Sequence, residues 1–458
     1  MTRATPRPRA STPGPYGSPP PPPCSRPCWC SPGGCSAGEP GRRARPGRAL
    51  PLPPPGPPAP ARSGLPPGRP RPRRAAMDRS GPGMNQPRPV LHVISGLRTG
   101  GAETMLVALC RTLGARGLPQ HVVSLTAGGP NLPVLERLGV TVHTLAPRGL
   151  VGSAGAVLAL SRLIRRLRPA VLQGWLYHGD LFAALAHRLA GAPRATRLAW
   201  GLRNSDIDHA RYGRLLALGA RLSGWPDLVV SNSRAGVDFH RAQGYRPRRL
   251  AVIPNGIDTA RFRPDPDARA AVRAELGLSP EAVVAVHAAR LDPMKDHATL
   301  LAAAARAPEI ALILVGAGTE TLALPPRARA LGRRDDPERI LAAGDVAVSS
   351  SRFGEGFSNA LAEGMAAGLV PVATRVGDAD RILGDLGHLV PPGDPDALAR
   401  AMRAVAHLPA CERARVGALA RGKVETAFGV DAMADRFLDA WHAAGAQIPD
   451  RPINRENS

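Results

Sequence analysis

The sequence predicts an α/β protein of two consecutive domains, each a parallel sheet covered by helices on both faces. The domains face one another across a cleft and follow a disordered Pro/Arg-rich N-terminal extension. Three observations lead there. From residue 90 onward, short runs rich in Val, Ile and Leu alternate with helical patterns. The runs are apolar throughout rather than at every second position, as strands buried on both faces require. The alternation also occurs as two series, separated by a loop at 255–266.

In the first series, strands are expected at 90–95, 121–125, 141–145, 170–175, 196–200, 227–231 and 250–254. Helices are expected near 103–116, 153–167, 181–190 and 235–243. The second series has strands at 282–288, 311–315, 345–350 and 370–374, and helices near 297–306, 358–367 and 396–406. Each series is a Rossmann-like unit, in which ligands bind beyond the carboxyl ends of the strands. The domains are read as an extension at 1–86, a first unit at 87–254 and a second at 255–428. A last helix at 429–445 returns to the first unit, and 446–458 form a tail.

Composition narrows the function classes. The chain of 458 residues holds 51 prolines and 50 glycines, only 3% aromatics, and a formal charge of +24. Only Lys295 and Lys423 are lysines, so arginine carries the basic charge. Nearly half the prolines lie before residue 87, where too little apolar surface exists to offset the entropy of ordering. Met77 and Met84 are accordingly expected to be better initiators than Met1. Cys24, Cys28, Cys30 and Cys35 cluster in this extension, but their spacings are not those of zinc modules, and no metal site is expected. Half the net charge belongs to the extension; the rest suits phosphate-bearing substrates or an anionic membrane surface. The body lacks a nucleic-acid motif and the aromatics that stack on bases, so no nucleic-acid partner is expected. No run approaches the ~18 apolar residues of a spanning helix, and the N-terminus lacks a signal-peptide core. The expected location is the cytoplasm, with room for peripheral contact at the inner face of the plasma membrane.

Three motifs fall just after strands. Gly100-Gly101 opens the first helix, where backbone amides and the helix dipole favour an anion, although a Gly-Gly turn serves equally as plain structure. Arg290 and Lys295 follow the first strand of the second unit and can grip a phosphate by fork and by point charge. One of the chain's two lysines stands here, where arginine is the default. Glu355-Gly356-Phe357-Ser358-Asn359 turns into a helix that carries Glu363 two turns further on. One carboxylate then meets a ligand in the cleft while the other reaches along the helix to a second part of it.

Together with Ile253-Pro254-Asn255-Gly256-Ile257-Asp258, Gly316-Ala317-Gly318, Val372 and Val390-Pro391-Pro392-Gly393-Asp394, these motifs resemble the retaining glycosyltransferase family 4 of GT-B fold. The resemblance covers 90–443. It implies transfer of a sugar from a nucleotide-sugar donor to a glycan or lipid-linked acceptor, in polysaccharide or glycolipid biosynthesis. It assigns the first unit to the acceptor side and the second to the nucleotide sugar, with no metal and no cofactor. It further implies that Arg290 and Lys295 hold the donor diphosphate, touched by Gly100 and Gly101 from the other domain. Glu355 then binds sugar hydroxyls, Gly356, Phe357, Ser358 and Asn359 line the donor pocket, and Glu363 binds the ribose. Where similar enzymes carry a histidine after the fifth strand, Arg203 stands here, with His178 after the neighbouring strand as a second candidate. Pro325-Pro326 interrupts a helix expected near the base pocket, which leaves UDP, GDP and ADP open.

Rival readings are a GT-B sugar-nucleotide epimerase or phosphorylase, a metal-dependent transferase using Asp206-Ile207-Asp208 or Asp265-Pro266-Asp267, and a basic nucleic-acid-binding protein. Removing residues 1–83 is expected to leave melting temperature and activity almost unchanged, since that segment builds no core. Aggregation or loss of activity in the truncated protein would show the extension to be structural.

Overall fold

The computed structural model describes residues 87–206 and 209–449, the side chains of 209–211 excepted. The Pro/Arg-rich extension with its four cysteines, Asp208 and residues 450–458 lie outside the described residues. In chain order the first part comprises β1 (Val90–Ile94), α1 (Gly101–Ala115), β2 (Gln120–Ser124), α2 (Leu132–Arg137), β3 (Thr141–Thr144), α3 (Gly149–Leu167) and β4 (Val171–Trp175). It continues with α4 (Leu176–Leu189), β5 (Arg197–Leu202), α5 (His209–Leu222), β6 (Leu228–Ser231), α6 (Arg234–Ala242) and β7 (Leu250–Val252). The second part runs α7 (Pro266–Glu275), β8 (Val284–Ala288), α8 (His297–Arg306), β9 (Ala311–Val315), β10 (Ala328–Ala330), α9 (Pro337–Ala342) and β11 (Val346–Ser349). It ends with α10 (Asn359–Ala366), β12 (Val370–Thr374), α11 (Ala379–Leu383), β13 (His388–Val390), α12 (Pro395–Ala406), α13 (Ala410–Phe428) and α14 (Val430–Ala443).

The strands form two sheets, ordered β3-β2-β1-β4-β5-β6-β7 and β10-β9-β8-β11-β12-β13. Every named pairing is parallel. Continuously buried strands such as VLHVI of β1 and ALILV of β9 explain why both faces of each sheet are covered. In each sheet the strand order reverses beside the first strand, between β1 and β4 and between β8 and β11. A crevice opens at such a reversal, because the crossovers on its two sides run to opposite faces. Helix starts follow local chemistry. Asp265, Asp394 and Ser233 each cap a helix by accepting an amide of its first turn. Asp265 is thereby occupied as the cap of α7.

The helix α14 crosses back to the first sheet. Its Met433, Ala434, Phe437 and Trp441 are buried in the same cluster as Val90, Ile94 and Trp175. Phe437 stacks on Trp175 with centroids 6.0 Å apart, and Trp441 Nε1 donates to Gln173 Oε1 at 3.1 Å. Trp175 Nε1 in turn donates to His92 Nδ1 at 3.2 Å. Burial holds that imidazole neutral, lowering its pKa to about 4, so the acceptor nitrogen is available. Ala446 and Ile448 also pack in this cluster, just past the helix.

The elements differ from the sequence reading in a few places. The helix expected at 181–190 begins at Leu176, directly after β4 and with no loop, through a left-handed Leu176 (φ 64°). Likewise α3 begins at Gly149 rather than near 153, and β5 runs on to Leu202. Replacing Phe437 by alanine should lower unfolding stability by about 3–5 kcal/mol, the usual cost of emptying a buried aromatic site. Urea titration followed by tryptophan fluorescence measures it, and a loss below about 1 kcal/mol would show α14 to be only loosely docked.

Candidate active site

The second sheet presents its charged residues on the two loops that flank its crevice. After β8, Asp292 caps a short 3-10 turn at Pro293–Lys295 by accepting the Met294 amide at 3.0 Å. Asp296 follows in a left-handed conformation and caps α8 through the Thr299 amide at 3.2 Å. Carboxylate caps on both sides therefore fix the turn that carries Lys295. After β11, the Arg352 amide donates to the Met294 carbonyl at 2.8 Å, and Ser350 Oγ donates to the Lys295 carbonyl at 2.7 Å. These bonds stitch the two loops together. Across the seam Lys295 Nζ pairs with Glu355 Oε1, which also accepts from Ser351 Oγ at 2.7 Å. The two side chains are only 17% and 10% exposed, so water screens this pair far less than a surface one. Beneath it, His287 and His297 meet edge to face at 5.0 Å, and burial keeps His287 neutral by lowering its pKa to about 3.

The first sheet and the linker supply the opposite wall. Gly100 stands at the N-cap of α1 and Gly101 opens it. A Cβ on Gly101 would lie 3.9 Å from Asn359 Nδ2, so the glycine turn faces the start of α10. Asn359 Oδ1 accepts from Asn255 Nδ2 at 2.7 Å, and Asn255 Oδ1 accepts from Arg203 Nη1 at 3.0 Å. The Arg203 guanidinium lies over the Trp175 ring, 4.4 Å from its centroid. Burial lowers its pKa to about 10, with Asp180 acting against that shift, so it stays charged at neutral pH. Its Nε and Nη2 have no protein partner.

The structure thus brings Lys295 to Glu355, Gly101 to Asn359, and Gly356 to the first domain, where a Cβ on Gly356 would lie 2.8 Å from Ser233 Oγ. Phe357 and Ser358 are buried in the same turn. Arg290 reaches the same edge but is exposed, with Nη2 held by Asp292 Oδ2 at 2.7 Å. Glu363 lies in the second turn of α10, and burial raises its pKa to about 7, opposed by Arg261 and reinforced by Glu338. His178 is exposed in the first turn of α4, just past the end of β4, and edge-on to Tyr212 at 6.5 Å. Arg203 joins the linker network rather than the Lys295–Glu355 pair. Residues not singled out beforehand also contribute: Ser351 on Glu355, Ser205 donating to the Glu355 carbonyl, and Asp378. All three lie within a few residues of a strand's carboxyl end, but nothing in their residue types sets them apart from other loop positions. Among the described residues no three His, Cys, Asp or Glu side chains gather as metal ligands do, and no helix is long and apolar enough to cross a membrane.

Two parallel-sheet domains, with the glycine turn of the first facing the start of α10 in the second, have the architecture of two-domain GT-B proteins. Residues 99–261 match the family described as Glycosyltransferase Family 4, and residues 282–407 match Glycosyl transferases group 1. The chain belongs to glycosyltransferase family 4. It is 31% identical over 312 residues to D-inositol 3-phosphate glycosyltransferase of Segniliparus rotundus, covering 61% of this chain and 66% of that protein. Phosphatidyl-myo-inositol mannosyltransferase of Mycobacterium tuberculosis is 29% identical over 331 residues, covering 66% of this chain and 82% of the relative. Among solved structures, HepE of Anabaena in complex with UDP matches at 22% identity and TM-score 0.69, over 78% of this chain and 100% of that one.

The environment of Glu363 makes a signed prediction. Its folded pKa of about 7 lies above the ordinary carboxylate value of 4.5, so the folded protein binds this proton more tightly than the unfolded chain. Stability from this group is therefore fully present below about pH 4.5, falls as pH rises towards 7, and stays lost above it. Glu363→Gln should melt higher than wild type at pH 8, by about 1–3 kcal/mol, and equal it at pH 4.5. Melting curves that shift equally at both pH values would show that the carboxylate is not held in an apolar setting.

Proposed function

We propose that the chain is a retaining glycosyltransferase that moves a sugar from a nucleotide-sugar donor to a glycan or lipid-linked acceptor without a metal ion. The observation that carries this reading is the Lys295–Glu355 pair at the crevice of the second sheet, with Gly101 facing Asn359 four residues further on. Breaking a sugar–phosphate bond leaves negative charge on the departing diphosphate and positive charge on the sugar ring. Fixed cations stabilise the first and a carboxylate the second. In this scheme the diphosphate takes Lys295 and Arg290, and Gly100-Gly101 meets it with the amides of α1. Glu355, released from Lys295, then accepts from sugar hydroxyls beside the amides of Gly356 and Phe357, while Ser358 and Asn359 complete the pocket and Glu363 takes the ribose. Arg203 and His178 stand on the acceptor side, Arg203 with its Nε and Nη2 lacking protein partners. Same-face attack, with the acceptor proton passing to the leaving phosphate, gives retention.

A lipid-linked acceptor is supported by the start of α3. Leu150 and Val151 are 91% and 88% exposed there, and Arg162, Arg165 and Arg166 are exposed further along the helix. Because α3 follows a parallel strand, its start lies at the edge where strands end, and a basic face with an apolar tip suits an anionic membrane.

A panel of UDP-, GDP- and ADP-sugars read by mass spectrometry, with and without EDTA, tests the class. Transfer to an acceptor in EDTA supports the proposal. Conversion of the donor with no acceptor present points to an epimerase, and loss of transfer in EDTA to a metal-dependent enzyme. Glu363→Ala should weaken nucleotide binding in calorimetry, whereas Glu355→Ala should mainly lower turnover; equal losses of free-nucleotide affinity would overturn that division. Lys295→Ala and Arg290→Ala should each lower kcat/KM by about 10²–10³-fold, as removal of one preorganised charge-stabilising group does. Turnover within about threefold of wild type for both would place the diphosphate elsewhere.

A further inference from the structure

Asp378 follows β12 and is 6% exposed. It stands at the N-cap of α11, yet its side chain makes no bond to that helix, which is where an N-cap aspartate ordinarily acts. Both its oxygens instead cross to the first domain. Oδ2 accepts from the backbone N of Arg234 at 2.8 Å and Oδ1 from that of Ala235 at 2.9 Å. These are the first two amides of α6, whose own cap Ser233 is occupied with the amide of Gly236. Two amides left without helical partners thus receive a buried carboxylate, which the helix dipole also favours.

The same residue holds the donor-side turn. Its backbone N donates to the Gly356 carbonyl at 3.0 Å. Beside it Gly377, at φ 62°, approaches so closely that a Cβ would lie 2.4 Å from the Glu355 carbonyl oxygen. From the first domain, Ser205 Oγ donates to that carbonyl, and Ser233 lies against Gly356. The turn at 355–356 is therefore clamped between the cap of α6 in one domain and the Asp378 turn in its own.

We propose that Asp378 is a positioning residue that couples closure of the two domains to the placement of Glu355. Its carboxylate finds its partners only when the first domain is docked, while its backbone amide holds the turn from which Glu355 projects. Parting the domains strips Asp378 and the Glu355 carbonyl of their first-domain partners together. The role rests on the reading of Glu355 as the sugar-side carboxylate of a transferase.

The test uses Asp378→Ala and Asp378→Asn in the full chain, with amide hydrogen exchange and steady-state kinetics. Exchange at residues 234 and 235 should rise in both variants, and exchange at 378, whose amide is bonded to the Gly356 carbonyl, should rise with it. For Asp378→Ala, kcat should fall about tenfold while donor KM changes less than about threefold, with Asp378→Asn, which keeps one acceptor, in between. Unaltered exchange at 378, or a loss confined to KM, overturns the proposal. If Asp378→Ala does not fold, Ser205→Ala, which releases the same turn from the first-domain side, should give the same joint rise in exchange and fall in kcat; normal values there overturn it equally. Exchange needs no substrate, so a wild-type protein that transfers no sugar would sink the transferase reading while exchange at 378 still decides the coupling.

Discussion

Parallel strands cannot be joined by a tight turn; each must be followed by a crossover that carries the chain back to where it began. All strand ends of one sense therefore fall on a single edge of each sheet, and there the backbone leaves its ladder and loops become free to carry chemistry. The candidate site obeys this constraint throughout. Gly100 and Gly101 follow β1, Arg203 follows β5, Arg290 and Lys295 follow β8, Ser351 and Glu355 follow β11, and Asp378 follows β12. Residues from five separate crossovers thus come to lie along two facing edges.

The charges gathered there are balanced within the protein. Lys295 is matched by Glu355, Arg290 by Asp292, and Arg203 by the face of Trp175. Burying a charge without a partner is costly, so such pairing is what lets these groups sit in a crevice. In the proposed reaction a diphosphate exchanges with these partners rather than meeting bare cations. Selectivity for an anionic donor then follows from the exchange: a neutral sugar offers Lys295 nothing to replace Glu355.

The fold was legible because continuously apolar strands between amphipathic stretches leave little choice of architecture. Lys295 and Glu355 were legible because charged side chains just past such strands are conspicuous. Ser205 and Asp378 were not: serine and aspartate are ordinary loop residues, and their partners lie 150 and 144 positions away. Spacing along a chain carries no trace of such contacts. The helix that carries His178 begins five residues earlier than expected, for a local reason. Leucine rarely accepts a left-handed conformation, so nothing in the sequence announced that Leu176 would pass straight from strand to helix. The short edge strands β10 and β13, three residues each, fall below the length at which periodicity can be seen.

The return of α14 to the first sheet has a bearing on how the chain is made. Phe437 and Trp441 complete a core whose other members, such as Ile94 and Trp175, leave the ribosome some 260 to 340 residues earlier. The second sheet draws its core from one uninterrupted stretch, Ile257 to Phe428, and can close as soon as that stretch has emerged. Synthesis from the amino end therefore delivers the second domain finished while the first still shows an apolar groove along β1 and β4. During that interval the nascent chain is most open to wrong partners, and only the final helix ends it.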